Sequence, residues 1–102
     1  MNEFKGTSGP WLLEQTTIYA LNNERVPVNR FTASVDRGWG DDGKRIGQQE
    51  VEANARLIAA APKLYAALAR LTQAAQDADI GYLDAAVAEG WDALELVTSN
   101  SN

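Results

Sequence analysis

Residues 38–45 of this 102-residue chain read Gly38-Trp39-Gly40-Asp41-Asp42-Gly43-Lys44-Arg45. The pattern is one residue away from G-x-x-x-x-G-K-[ST], the loop that cradles nucleotide phosphates, and it stands between a strand-like and a helix-like run. The chemistry fails on inspection. A phosphate loop needs a hydroxyl after its lysine to hold magnesium, and Arg45 occupies that place. No βαβ unit follows, and Asp41 and Asp42 would face the phosphates. The acids at 36, 41 and 42 also miss the alternate-position spacing of a calcium loop.

What survives is an indole beside cations. Trp39 lies between two glycines, with Arg37 before it and Lys44 and Arg45 after. One reading folds Trp39 back onto the sheet or a neighbouring subunit. The other makes it a stacking platform, with the three cations suited to the phosphates of a base-containing ligand. Helical spacing adds Asn54, which falls on the apolar stripe Val51–Asn54–Ile58–Ala61. An amide there either seats the helix against a backbone group or reads a ligand's edge. Arg56 follows Glu52 by four residues, the favourable order for a helix ion pair; otherwise it is a further cation for the ligand.

Other routes to catalysis are scarce. The chain has no cysteine and no histidine, which removes thiolate nucleophiles, the usual general base and the commonest metal ligands. The reading is a binding protein and not an enzyme, with no catalytic residue, metal or cofactor. Three acids (Asp36, Asp41, Asp42) with a borrowed metal are the only route left to phosphodiester cleavage.

The elements that must position these groups divide at residue 47. Trp11, Leu13, Ile18, Tyr19 and Leu21, with Thr16-Thr17 between them, predict strand after Pro10. Asn22-Asn23 offers a turn. Phe31, Ala33 and Val35 alternate against Thr32 and Ser34 in a second strand, which Pro27 places at a sheet edge. Four glycines make 36–47 a loop. Beyond it the chain turns alanine-rich, with fifteen of its seventeen alanines after residue 50. Helices are expected over about 48–61 and 62–77, meeting at a bend where Pro62 occupies a first turn. A third is expected over about 80–97, capped by Asp79, with the stripe Ile80, Leu83, Val87, Trp91 and Leu94. Gly90 in that helix suggests a close helix crossing, and residues 98–102 a frayed tail. The expected fold is one α+β domain, a small antiparallel sheet of two or three strands followed by about three helices. Two strands alone are marginal, so homo-oligomerisation is expected as well.

Charge narrows the partners. The net charge is −5, and residues 77–95 carry six acids and no base, a field opposed to binding duplex nucleic acid. The ordinary role of that stretch is a solvated helix face. No apolar run approaches a membrane span and the N-terminus has no signal-peptide core, so a cytoplasmic address is expected.

Two stretches, "SGPW" near the start and "EANARLIAAAP" followed by a leucine-rich helix, resemble a group of small phage and prophage proteins. A short sheet leading into such a helix is also similar to the phage anti-Thoeris proteins. That resemblance implies an oligomer in the infected host cell that sequesters a small cyclic nucleotide signal, of the cyclic ADP-ribose type or a cyclic oligonucleotide, without cleaving it. The alternative is a protein-binding inhibitor of a host defence complex, of the anti-CRISPR type, acting through the acidic C-terminal helix.

Overall fold

The computed structural model describes residues 4–21 and 28–98. It has the α+β order expected: strands β1 (Leu12–Glu14), β2 (Thr17–Leu21) and β3 (Asn29–Ser34), then helices α1 (Gln48–Ala59), α2 (Ala61–Asp77) and α3 (Ile80–Thr98). The three strands form one antiparallel sheet in the order β1-β2-β3. The run from Trp11 to Leu21 is two strands, because the chain reverses at Gln15-Thr16 with Glu14 paired to Thr17. Gln15 takes φ 58 there, as a two-residue hairpin loop demands at its first position. The Asn22-Asn23 turn and Pro27 lie outside the described residues, as does the tail beyond 98.

Pairing fixes the faces. Ile18 opposes Leu13 and Ala33, and Ala20 opposes Phe31, so these side chains share one face of the sheet. Across it the rings of Trp11 and Phe31 meet edge to face at 4.9 Å, while Ile18 and Ala20 are wholly buried. Helix α1 lies against β1 and β2 and closes this face with Val51 and Ala55. Most of β3 is left exposed.

The helix ends follow from local chemistry. Pro62 stands in the first turn of α2, where it costs no hydrogen bond. Helix α2 stops at Ala78 in the left-handed conformation (φ 55, ψ 34), and the Asp79 N–H reaches back to the Ala74 carbonyl at 3.4 Å. Asp79 then caps α3, its Oδ1 accepting from the Tyr82 N–H at 3.0 Å.

Packing of α3 departs from the expected stripe. Helices α2 and α3 pack against each other through alanines, Ala67 and Ala74 on one and Ala86 and Ala93 on the other, all buried. Ile80, Val87, Trp91 and Leu94 stay exposed instead, with only Leu83 of the expected stripe partly covered. Small side chains let the two helix backbones approach, and that turns the large residues out to the side. The interior is consequently thin: among the described residues Ile18 and Val51 are the largest fully buried side chains. A Cβ built on Gly90 meets nothing within 4 Å, so the close crossing expected at that glycine is not made.

Candidate functional site

The glycine loop is folded. The Gly43 N–H donates to the Gly40 carbonyl at 3.0 Å, the Gly40 N–H to the Lys44 carbonyl at 2.7 Å, and the Ile46 N–H to the Gly38 carbonyl at 2.9 Å. These bonds make a small hairpin over 39–45 in which Trp39 pairs with Arg45. Gly43 at φ +78 supplies the left-handed residue that a turn with a following bulge requires. Asp42 turns its carboxylate inward, Oδ1 accepting from the Lys44 N–H at 3.0 Å. Arg37 clasps the base of the hairpin, its Nε donating to the Ile46 carbonyl at 2.8 Å. The loop is therefore ordered by its own bonds, a hairpin where four glycines indicated only a loop.

Trp39 is 69% exposed. It does not fold back onto the sheet; the Arg45 guanidinium lies 5.3 Å from its ring centroid, within cation–π range. Cross-strand neighbours share a face of a hairpin, so ring and guanidinium form one exposed platform. Lys44 is exposed beside it. A flat, cation-bordered indole can stack a planar base and meet a phosphate.

The remaining candidates part company. Asn54 is exposed, contrary to its expected place on the seated stripe. Helix α1 seats itself on Val51 and Ala55, and Asn54 lies round the helix from both. Arg56 does not pair with Glu52; among the described residues the one ion pair is Arg70–Glu89, at 3.4 Å. Arg56 instead lines a cleft of about 290 Å³ with Pro10, Trp11, Leu13, Lys63 and Leu96, and no residue of the hairpin borders it. Its Nε is buried there without a hydrogen-bond partner. Sequence reasoning missed this cleft, although its signal was present in two motifs taken separately. The Gly9-Pro10-Trp11 opening and the junction of α1 with α2, Ala59-Ala60-Ala61-Pro62, meet in space. A Cβ on Gly9 would come within 2.7 Å of the Pro62 Cβ, so only glycine fits that contact.

Among the described residues no three acidic side chains gather closely enough to hold a metal ion, and no helix is long and apolar enough to cross a membrane. A family model described as Salmonella phage P22 protein Y8K6 matches residues 1–98, and the chain belongs to that phage protein family. Neither the curated proteins nor the solved structures contain a match to the chain.

Proposed function

We propose that this member of the P22 Y8K6 family is an immune-evasion protein that sequesters a small cyclic nucleotide in the infected host cell, without cleaving it. The observation that carries the reading is the exposed Trp39–Arg45 platform on a hairpin already locked by its own hydrogen bonds. A preformed platform loses little conformational entropy when a ligand docks.

The magnitudes define what such a site requires. Stacking on one indole face contributes about 1–3 kcal/mol per base, which alone leaves the affinity weaker than about 1 mM. Charge-assisted hydrogen bonds contribute about 1.5–3 kcal/mol each. With phosphate contacts from Arg45 and Lys44 the total spans about −4 to −9 kcal/mol, whose midpoint, about −6.5 kcal/mol, corresponds to tens of micromolar. Arg37, with its Nε committed to the Ile46 carbonyl, offers only its terminal nitrogens. Asn54 and Arg56 act, in this reading, as contacts from α1 for a ligand larger than a mononucleotide. The acids at 36 and 41 disfavour a long strand and favour a compact, few-phosphate ligand.

Calorimetric titration with cyclic ADP-ribose isomers and with cyclic di- and trinucleotides tests this. The expected result is micromolar binding, intact nucleotide on recovery, and at least tenfold weaker binding in Trp39→Ala, a loss of about 1.4 kcal/mol. Because Trp39 is mostly exposed, that variant should melt within about 0.5 kcal/mol of the parent. If no nucleotide binds, or Trp39→Ala binds as tightly as the parent, sequestration fails. The inhibitor reading then takes its place, with charge reversal at Asp84, Glu89 and Asp92 as its test.

A further inference from the structure

The α2–α3 hairpin has two unlike flanks. The alanine seam fixes the direction in which each helix faces the other, and at about 100° per residue the remaining positions follow. The Arg70–Glu89 ion pair marks one flank, where periodicity also places Lys63, Asp77 and Leu96. Lys63 and Leu96 line the cleft against Leu12 and Leu13 of β1, so the sheet lies on this side. The opposite flank collects Leu68 and Ala75 of α2 with Ile80, Val87, Trp91 and Leu94 of α3. It carries no charge. Leu68 is 64% exposed, Trp91 69% and Ile80 76%. Asp84 and Glu95 fall about 20° and 40° beyond Trp91, on the outward face of α3.

The chain as a whole shows too much surface for its mass. It exposes 7853 Å², where a compact monomer of 11.1 kDa exposes about 5,700 Å². Its radius of gyration is 16.4 Å, against about 13 Å for a compact domain of this length. The excess is roughly 2,200 Å², more than the ~800 Å² that each partner buries in a standard stable interface.

We infer that the uncharged flank of the α2–α3 hairpin is the contact surface for a second copy of this chain, with Leu68 and Val87 at its centre and Trp91 at its outer edge. Charge decides the occupant. A chain of net charge −5 repels its own copies wherever acids face acids, as they would across the outward face of α3. On this flank self-approach brings no like charges together. A twofold pairing also repeats each contact, so one apolar patch completes itself. The inference stands apart from the nucleotide reading, since it concerns a different surface and no ligand.

Light scattering of the full chain at tens of micromolar is expected to return twice the 11.1 kDa chain mass. Leu68→Glu and Trp91→Glu each place a like charge at the contact and are expected to weaken the dimer by at least tenfold. Glu89→Gln, on the charged flank, should leave it intact. If a glutamate variant loses helicity by circular dichroism, cross-linking decides: the chain has no cysteine, so Leu94→Cys carries a single thiol. A short bismaleimide should then join two copies through Leu94→Cys and not through Asp92→Cys. A parent of single-chain mass overturns the inference and leaves the flank to some other protein. Glutamate variants that remain folded dimers overturn it too, as does cross-linking through Asp92→Cys alone. None of these outcomes touches the Trp39→Ala titration.

Discussion

Replacing Gly90 by alanine gives a direct reading of how α3 is packed. Gly90 lies near the middle of the 19-residue helix, where glycine is less favourable than alanine by about 0.8–1.0 kcal/mol. The origin is backbone entropy, of which glycine loses more on folding than alanine does. Whether that gain is realised depends on space. A Cβ at position 90 meets nothing within 4 Å, so no neighbour has to move and no strain offsets the gain. Gly90 is also half-buried beside the alanine seam, so the new methyl adds some apolar burial. Gly90→Ala is therefore expected to stabilise by about 1 kcal/mol, which for a domain of this size raises the melting temperature by about 4–8 °C. Thermal unfolding followed by far-ultraviolet circular dichroism measures this, with parent and variant at the same protein concentration because association shifts the midpoint. An unchanged or lowered melting temperature refutes the reasoning. It would mean that some backbone presses on α3 at Gly90, as a close helix crossing requires.

Ala78→Gly should stabilise by about 0.5–1 kcal/mol, since Ala78 sits at φ 55, where a Cβ is penalised and glycine is not; a lower chemical-denaturation midpoint would contradict that geometry. Asn54→Leu is expected to shift the unfolding free energy by less than about 0.5 kcal/mol because the amide is exposed. A loss of 1–3 kcal/mol in the same melt would place the amide back in a buried bond.

Much of the helical half was legible because its signals are local. Pro62 in a first turn, Asp79 accepting from the Tyr82 N–H, and the alanine-rich run after residue 50 act within a turn or two of the chain. The boundaries they predict fall within a residue or two of those observed. The division of the first strand at Gln15-Thr16 was not legible. Gln15 is a poor turn residue, and only the pairing of Glu14 with Thr17 across the sheet holds it at positive φ. The hairpin within the glycine loop was not legible for a related reason. Glycine marks where a backbone is free, and the bonds from Gly43 to Gly40 and from Gly40 to Lys44 determine what that freedom is used for.

The candidate site divides in the same way. Composition alone identified Trp39 and its cations, and removed thiol and imidazole chemistry. It could not show that Arg45 lies over the indole while Arg37 is tied to the Ile46 carbonyl, since both facts depend on hairpin register. Nor could it bring Pro10 and Trp11 to Arg56, more than forty residues away in sequence. The largest failure concerns α3, whose periodicity admits an apolar stripe of large residues and a seam of small ones. Transfer free energy favours burying Trp91 and Leu94, and a sequence read alone follows that preference. The choice belongs to the partner helix. Ala67 and Ala74 present a shallow face, and two shallow faces meet at a backbone distance that large side chains do not permit. Sequence thus determined which segments are helical and where they stop, because those are energies of neighbouring residues. Which face each helix buries was decided by tertiary structure, because that energy exists only between two surfaces.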